Sequence, residues 1–400
     1  PAPALQGRME EATDPPAALP SSEAGDPLAE ASALLDELRQ YHETYFCQQL
    51  SEKEALLQGL CQRIDDTLLP LTSLRDEDQD PSQRSLMCLI RGRALETAHS
   101  AYHPEAEALL SRAAKLRPED PTAWAALAHC LWKKRDLVEA AKAYGESIRI
   151  RPSPEALQEL SLLVRKMGGG SLEAAQRSVQ LAKDAVNLDL SDHKSWYFLG
   201  NAQTARFFAA AAAGGDDLSR ALRAYDLSEA RGGGVNPDLF FNRAKVHQYL
   251  QQYPQALRDL RLAHDIDPGL EAAAAAERLE AWLRRVGEAV ERKGRVKAKK
   301  VQQLMSDIAQ AAGDEEPLTV EGVLAAPPPP EARLHVAPVL SLSIGDTPPE
   351  CYLCLDATGA AAVVAVYHLK PTSLRKVATA RVLSIAAPRV VVGEAENGGG

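Results

Sequence analysis

A stretch of 34 residues, 121–154 (PTAWAALAHCLWKKRDLVEAAKAYGESIRIRPSP), constrains the fold more than any other part of the chain. Large, small and helix-ending residues stand in it at fixed steps, at Trp124, Leu127, Ala128, Leu131, Ala140, Tyr144 and Pro152. Steps of three and four place apolar residues on one face of a helix, and a proline ends a helix because it cannot donate a backbone hydrogen bond. The pattern predicts two antiparallel helices that cross at Ala128 and Ala140, with Trp124 and Tyr144 filling the gap between them.

This spacing is that of the tetratricopeptide repeat, a helix–turn–helix unit that is stable only when it stacks on its neighbours. Similar patterns before and after it predict an array of about five units over residues 84–268. Gly92 and Gly200 take the small crossing position in two of these units, whereas Arg243 stands where leucine is usual. A buried arginine requires a partner, and the sequence does not identify one.

Apolar helical patterns also flank the array. Residues 28–75 predict an N-terminal helical cap, and residues 269–312 predict a capping helix followed by a basic helix that starts near residue 297. A stack needs such caps because its end repeats would otherwise expose an apolar face. Residues 76–83 predict a polar linker, and residues 1–27, rich in Pro, Ala, Glu and Ser without periodicity, predict a disordered tail.

After Gly313 the pattern changes from helical to alternating. Four runs rich in β-branched residues appear at 335–344, 351–356, 361–369 and 377–385. The sequence DATG, Asp356 to Gly359, predicts a hairpin turn. Residues 317–392 therefore predict a small, barrel-like β domain, followed by a flexible tail at 393–400. The predicted fold class is mostly α, a tetratricopeptide-repeat helical solenoid with a small C-terminal all-β domain.

Charge is distributed unevenly along this acidic chain, whose formal net charge is −10. Residues 1–30 contain six acids and one arginine, whereas residues 284–300 contain eight Lys or Arg and two Glu. Regions of opposite charge indicate separate partners. No apolar run reaches the roughly 18 residues of a membrane span, and the basic-then-apolar layout of a signal peptide is not seen at the start. No membrane partner is predicted.

The six cysteines predict reduced core thiols, because they are scattered through helical, non-secretory sequence. Cys351 and Cys354 form a C-x2-C pair. A structural zinc would need a second pair or two suitably spaced histidines, and the sequence contains neither. No metal and no cofactor are predicted.

The first helices of stacked repeats line a concave surface. Positions two, five, nine and twelve of each unit point into it, which selects Arg93, His129, Trp132, Arg165, Tyr197, Asn201, Asp238, Phe241 and Lys245. Charges of both signs between aromatic walls suit a short extended peptide that carries both charges. Arginine offers two parallel donors to a carboxylate, and asparagine can hold a peptide backbone with both its C=O and its N–H groups.

Four stretches carry a resemblance to a known family, namely SWYFLGN (195–201), NPDLFFNRAKVHQY (236–249), IDP (266–268) and RKGRVKAKKVQQLM (292–305). They resemble the family of tetratricopeptide repeat protein five, also called Strap, the stress-responsive activator of an acetyltransferase coactivator. The resemblance covers roughly residues 28–390. It implies that the β domain is an oligonucleotide/oligosaccharide-binding (OB) fold, although only about 75 residues remain for its five strands.

The resemblance also implies a function. Members recognise the N-terminal Met-Arg-Glu of nascent tubulin at the ribosome and bring in adaptors that trigger decay of the tubulin mRNA. The alternative is a nuclear transcription-coactivator scaffold in stress responses, with acetyltransferase coactivator complexes as partners. Both imply an adaptor in cytoplasm and nucleus rather than an enzyme. The glycine-rich segments 168–171 and 232–234 also lack the Lys-Ser/Thr of a phosphate-binding loop.

Combined with the resemblance, the concave positions predict six peptide-binding residues, Arg165, Asn201, Asp238, Glu271, Tyr197 and Lys245. Arg165 would pair with the glutamate, and Asn201 would hold the backbone. Asp238, helped by Glu271, would face the arginine. Structural alternatives remain open: Arg165 offsets a helix dipole, Asn201 caps a local turn, and Asp238 occupies a helix start that favours acids. Trp132 is interpreted as packing.

The basic segment predicts a second contact surface, formed by Lys293, Arg295, Lys297, Lys299 and Lys300. If one helix runs through it, Lys293, Lys297 and Lys300 share a face. Most charge runs are solvated surface, but few acids compensate this one, and phosphate contact suits it. The resemblance implies that the phosphates belong to ribosomal RNA. No aromatic residue lies among the cations, so base-specific recognition is not expected.

Overall fold

The computed structural model describes residues 26–45, 50–72, 80–210, 216–313, 318–326, 328–329, 332–342, 349–366 and 380–386. The chain divides into two compact units, one that contains most residues up to Pro118 and one that begins at Glu119. The predicted tail at 393–400 lies outside the described residues, as does the tail at 1–27 except for its last two residues.

The described chain is mostly helical, with one sheet near its C-terminus. Its helices are α1 (Pro27–Thr44), α2 (Leu50–Thr72), α3 (Pro81–Ala98), α4 (Pro104–Leu116), α5 (Pro121–Lys133), α6 (Leu137–Ile150), α7 (Pro154–Met167), α8 (Leu172–Leu188), α9 (His193–Ala209), α10 (Asp217–Ala230), α11 (Pro237–Tyr249), α12 (Tyr253–Ile266), α13 (Ala272–Glu291), α14 (Ala298–Ala312) and α15 (Val320–Ala325). Its strands are β1 (Arg333–Ser341), β2 (Glu350–Leu355), β3 (Ala361–Val366) and β4 (Leu383–Ala386).

In the first unit, α1 and α2 bury their apolar stripes against α3. Leu38, Ile64 and Leu68 are completely buried and join one cluster with residues of α3. Helices α3 and α4 cross closely at Gly92, where a Cβ atom would lie 2.7 Å from Cγ of Leu110. Helix α3 begins at Pro81, capped by Asp80, so the prediction of a linker up to residue 83 was wrong for its last residues.

The second unit contains four helical pairs, α5–α6, α7–α8, α9–α10 and α11–α12. A polar side chain caps the first helix of each pair and a proline often follows, as at Asp120, Ser153, Asp192 and Asn236. Such caps satisfy backbone N–H groups that the helix leaves free. The sequence therefore marks where each repeat starts.

The predicted crossing residues of the 121–154 repeat are confirmed, since Ala128 and Ala140 have no exposed surface and Tyr144 is 2% exposed. Trp124 is half-buried, and its place in the gap stays a prediction. In the α9–α10 pair, a Cβ at Gly200 would lie 2.6 Å from Cε1 of Tyr225.

Arg243, which the sequence left unexplained, is buried in a cluster of carboxylates. Its Nε and Nη2 atoms donate to the two carboxylate oxygens of Asp259 on α12, at 2.8 and 2.9 Å. Its Nη1 atom donates to Glu229 at 2.6 Å and Asp226 at 2.9 Å, both on α10. Burial alone lowers the pKa of Arg243, but hydrogen bonds and charge from Asp259 and Glu229 outweigh it and raise the pKa. The cluster thus joins three helices of two repeats.

The four strands form an antiparallel sheet in the order β3-β2-β1-β4. A fourth strand beside the first is the Greek-key order, the topology on which OB barrels are built. The predicted turn at Asp356 is confirmed, because Gly359 has a positive φ of 74° and the buried Asp356 accepts from Thr358 and Ala360. Helix α15, which the sequence did not predict, is tied to the same carboxylate through the N–H of Val320. Residues 387–392 of the predicted domain lie outside the described chain.

Helix α13 and the sheet belong to one apolar core. Trp282 on α13 is 5% exposed, and its indole N–H donates to the carbonyl of Leu342 after β1. The same apolar cluster extends from Tyr225 in the α9–α10 repeat through Trp282 to Leu353 on β2. The last two repeats, α13 and the sheet therefore share a continuous core.

Candidate peptide-binding groove

Arg165, in the last turn of α7, is held by hydroxyl groups. Its Nη1 atom donates to Oγ of Ser178 at 3.0 Å and lies 3.4 Å from Oγ of Ser161. Both serines are completely buried, whereas Arg165 is half-buried. Burial lowers its pKa, and the neighbouring phenols of Tyr225 and Tyr197 oppose this in part. The charge of Glu159 also opposes it, but among the described residues no carboxylate oxygen lies within 4.0 Å of the guanidinium, so the positive charge has no direct ion-pair partner there.

Asn201, on α9, is held by its neighbours through its carboxamide oxygen. The Oδ1 atom accepts from the hydroxyl of Tyr225 at 2.8 Å and from Nδ2 of Asn242 at 3.2 Å. Nδ2 of Asn242 also donates to the hydroxyl of Tyr197 at 3.1 Å. The expectation that Asn201 offers both C=O and N–H to a peptide was therefore wrong, because internal donors already occupy its oxygen.

Tyr197 connects this network to the acidic end of the groove. Burial raises the pKa of its phenol, and hydrogen bonds with Asn201 and Asn242 lower it in part. The charge of Asp238 raises this pKa further, whereas Arg165 lowers it. Tyr197 therefore lies within electrostatic reach of both predicted charge-reading residues.

Asp238 and Lys245 form the far end of the set, at the start and middle of α11. Both side chains are exposed, but neighbouring atoms displace part of their water. This desolvation and the charge of Asp267 raise the pKa of Asp238, while Lys245 lowers it. Desolvation lowers the pKa of Lys245, with partial compensation from Asp238. The Lys245 ammonium lies 4.1 Å from the ring centre of Phe241, a cation–π contact.

Five of the six predicted peptide-binding residues are therefore linked by shared hydrogen-bond partners or by the effect of their charges on one another, whereas Glu271 stands apart. Glu271 precedes α13 and makes no side-chain cap there, and no described contact links it to the others. Sequence reasoning missed the supporting residues, Ser161, Ser178, Tyr225 and Asn242. The serines and Tyr225 stand outside the positions that point into the groove, and Asn242 follows a groove position by one residue.

Beyond Arg165, toward α5, the surface is aromatic and basic. The Lys166 ammonium lies 4.9 Å from the ring centre of Trp132, and His129 packs edge-on against the same indole at 5.8 Å. Trp132 is half-buried, so its interpretation as a packing residue holds for only part of its ring. Arg93 lies in the first unit.

The basic segment is a turn followed by a helix rather than one helix. Lys293, Gly294 and Arg295 have consecutive positive φ angles of 48°, 63° and 58°, and α14 begins only at Ala298, with Lys297 as its N-cap. The predicted common face of Lys293, Lys297 and Lys300 was therefore wrong. The physical cause lies in the sheet, because a Cβ at Gly294 would lie 3.0 Å from Leu353 Cδ2 and 3.1 Å from Val339 Cγ1.

The cations of this basic turn, which we define as residues 292–300, are exposed: Arg292, Lys293, Arg295, Lys297, Lys299 and Lys300. Within the described chain none of them has a carboxylate partner within 4.0 Å. Lys299 and Lys300 also occupy the first turn of α14, where the helix dipole disfavours positive charge. The turn thus presents uncompensated cations, as a phosphate-binding surface requires.

Several other features bear on the class of protein. Five cysteines are free and buried, whereas Cys47 lies outside the described residues. Burial raises the pKa of Cys351 to about 11 and that of Cys354 to about 12. Among the described residues no group of three or more His, Cys, Asp or Glu is arranged to hold a metal ion. No described helix is both long and apolar enough to cross a membrane.

Several known proteins are similar to the chain in sequence. Tetratricopeptide repeat protein 5 from Bos taurus is 31% identical over 303 residues, which cover 74% of this chain and 68% of the relative. The proteins of that name from Mus musculus and Homo sapiens are 32% and 30% identical, and the match covers 66% and 65% of their lengths. The chain thus spans about two thirds of these relatives. No protein-family model matches.

Two solved structures are similar to parts of the chain. The tetratricopeptide repeat protein YrrB, described as having an unusual peptide-binding site, is 20% identical with a TM-score of 0.34, covering 48% of this chain and 91% of its own. The Cut9–Hcn1 hetero-tetramer of APC/C is 14% identical with a TM-score of 0.47, covering 66% of this chain and 48% of that one.

Proposed function

Because the chain belongs to the tetratricopeptide repeat protein 5 family, we propose that it is an adaptor that binds the Met-Arg-Glu N-terminus of nascent tubulin at the ribosome and triggers decay of the tubulin mRNA. The coarser function, a protein-binding repeat scaffold, follows from the family and the fold. The observation that carries the finer proposal is the order of charges along the groove. Arg165, Asn201 and Asp238 stand on three successive first helices, α7, α9 and α11. Arg165 has no carboxylate within 4.0 Å among the described residues, both charges act on Tyr197, and Asn201 shares a hydrogen-bond network with Tyr197 through Asn242.

This order matches a peptide with a cation followed by an anion. The glutamate of Met-Arg-Glu would pair with Arg165, whose guanidinium presents a planar fork to a carboxylate. The preceding arginine would face Asp238, whose charge is only partly offset by Lys245. The chain direction would then run from α11 through α9 to α7. The methionine would lie at the α11 end, near the aromatic ring of Phe241.

The test is a two-by-two titration of the parent and Arg165→Ala against a Met-Arg-Glu peptide and its glutamine counterpart. Truncating one partner of a desolvated charge pair costs about 2–5 kcal/mol, which is roughly thirtyfold or more in affinity. We expect that loss with the glutamate peptide and a much smaller one with the glutamine peptide. Lys166→Ala is the matched control, because it removes the adjacent cation. Equal losses with both peptides would show that Arg165 does not recognise this glutamate.

The basic turn supplies the proposed ribosome contact. Reversal of Lys297 and Lys299 to Glu is expected to abolish co-sedimentation with ribosomes and leave peptide binding intact. Parent co-sedimentation should weaken steeply with salt, because contacts with phosphate release counterions. Reversal of two exposed cations elsewhere, Lys142 and Lys183, is the control. Unchanged sedimentation of the Lys297/Lys299 variant at physiological salt would remove the basic turn from the proposal.

The second candidate is a nuclear coactivator scaffold for acetyltransferase complexes, supported by the second function of the family. The same groove would then bind a nuclear partner, and localisation in both cytoplasm and nucleus is proposed. Affinity capture from a translating lysate, followed by sequencing of nascent chains and associated mRNAs, separates the two. Enrichment of tubulin chains and of mRNA-decay adaptors supports the first function. Capture of acetyltransferase complexes without ribosomes supports the second.

A further inference from the structure

We propose that Asn242 and Tyr225 are positioning residues that fix Asn201 as a hydrogen-bond donor, so that the groove recognises a main-chain carbonyl of its peptide rather than an N–H group. The inference rests on the proposed peptide-binding function and adds the chemistry by which the backbone is held. A carboxamide oxygen accepts two hydrogen bonds. The donors at 2.8 and 3.2 Å, Tyr225 and Asn242, supply both for Asn201.

Tyr225 has almost no freedom to move away. Its side chain is 1% exposed, and its ring lies directly against the backbone of Gly200, where even a Cβ would approach to 2.6 Å. The residue that touches Tyr225 is thus the immediate neighbour of Asn201 on α9. The close approach of α9 and α10 therefore places the phenol hydroxyl against the amide oxygen.

Asn242 fixes the amide from the other side. Its Nδ2 atom donates both to Asn201 and, at 3.1 Å, to the hydroxyl of Tyr197. Because Nδ2 of Asn242 is a donor, the atoms that face it must be acceptors. These are the carboxamide oxygen of Asn201 and the hydroxyl oxygen of Tyr197. The Nδ2 atom of Asn201 carries two hydrogens, so beside its hydrogen bond with the Tyr197 hydroxyl it keeps donor capacity for a ligand. The Tyr197 hydroxyl, having accepted from its neighbours, can donate through its own hydrogen.

The consequence is a row of donors along the centre of the groove. The groups are the Asn201 amide, the Tyr197 hydroxyl and the guanidinium of Arg165, whose carboxylate partner is missing among the described residues. Such a row requires acceptors from its ligand, which are the carbonyl oxygen of the peptide next to the acidic residue and the carboxylate itself. A peptide N–H at the same place would meet donors only, and an unpaired buried donor is costly.

A double-mutant cycle tests the positioning. Asn242→Ala and Tyr225→Phe are each made in the parent and in Asn201→Ala, and binding of the Met-Arg-Glu peptide is titrated. In the parent we expect each to weaken binding about tenfold, the equivalent of one hydrogen bond. In the Asn201→Ala background each should change it less than about twofold, because residues that act through one another are not additive. A merely structural role would give the same loss in both backgrounds and would overturn the proposal.

Two modified peptides test which backbone group is recognised. An ester in place of the amide whose carbonyl faces Asn201 weakens that acceptor, and N-methylation removes an N–H while keeping the carbonyl. We expect an Asn201-dependent loss with the ester and none with the N-methyl peptide. An Asn201-dependent loss on N-methylation alone overturns the inference and leaves the proposed function intact. Failure of the parent to bind the unmodified peptide overturns both. If Asn242→Ala has a folding defect, Tyr225→Phe still tests the proposal, because it removes only the hydroxyl and keeps the ring against Gly200.

Discussion

Two arginines of the second unit are shielded from water, Arg243 almost completely and Arg165 in part, but they differ in what surrounds them. Carboxylates of Asp259, Glu229 and Asp226 surround Arg243, whereas hydroxyl groups of Ser178 and Ser161 hold Arg165. The pKa of Arg243 is raised by those carboxylates, and the pKa of Arg165 is lowered by burial. The carboxylates compensate one charge inside the protein, and the hydroxyls orient the other without compensating it.

The difference separates a structural arginine from a ligand-binding one. A compensated guanidinium has its donors occupied and joins α10, α11 and α12. An uncompensated one keeps donors and charge for a ligand that brings its own carboxylate. The type of residue does not distinguish the two cases, but the charge of the hydrogen-bond partners does.

The sharpest test of this comparison is Arg243→Ala. Removing one partner of a buried ion pair leaves uncompensated charge, here on Asp259, and costs about 3–5 kcal/mol. Arg165→Ala is the matched variant and should reduce the free energy of unfolding by less than about 1 kcal/mol, because it breaks bonds to neutral groups only. Urea unfolding measures both. Similar losses of stability in the two variants would contradict the distinction.

A smaller effect is expected at Gly200, where the close packing of uncharged groups rather than an ion pair supports the groove. Gly200→Ala places a methyl group against the ring of Tyr225, and overpacking of this kind costs about 1–3 kcal/mol. The displaced Tyr225 hydroxyl should also weaken peptide binding, which calorimetry can measure. Gly145→Ala is the control, because nothing lies within 4 Å of a Cβ there. If Gly200→Ala is destabilised but binds the peptide as the parent does, the position of the Tyr225 ring does not matter for peptide binding.

The smallest predicted effect is a pH dependence at the acidic end. The pKa of Asp238 is raised, so this carboxylate protonates at a higher pH than an ordinary aspartate. Its charge disfavours the folded state at neutral pH, and that cost disappears as the pH falls. Binding of a peptide arginine changes in the opposite direction, because it needs the charge and is lost as Asp238 protonates. Titration of the glutamine counterpart of the peptide, which lacks the titrating glutamate, from about pH 7 to about pH 4 should show this loss in the parent and not in Asp238→Asn.

The repeat register predicted most of the groove but not its electrostatics. Fixed steps from Trp124 place Arg165, Asn201 and Asp238 on first helices, because the repeat determines which face each position occupies. The repeat register does not predict the partners of Arg243, because Asp259 and Glu229 come from the helices on either side of it, α12 and α10. A periodic pattern gives the direction of a side chain but not what it contacts across a helix interface.

The basic turn illustrates a second kind of limit. Local propensity through 292–300 favours a continuous helix, and the prediction of one lysine face followed from it. The left-handed conformation of Gly294 depends instead on Leu353 and Val339, from strands that come 40 to 60 residues later in the chain. Close approach of a distant sheet therefore overrode the local preference.

The continuous core from Tyr225 through Trp282 to Leu353 has a consequence for how the two proposed contacts work together. The groove and the basic turn are attached to the same core, so the distance between them is fixed by the fold. An extended polypeptide advances about 3.3 Å per residue. A nascent chain could then occupy the groove of a ribosome-anchored molecule only after a minimum number of residues had emerged. The distance between the two contacts would then set the shortest nascent chain that the protein can bind, and the packing of Trp282 would fix that distance.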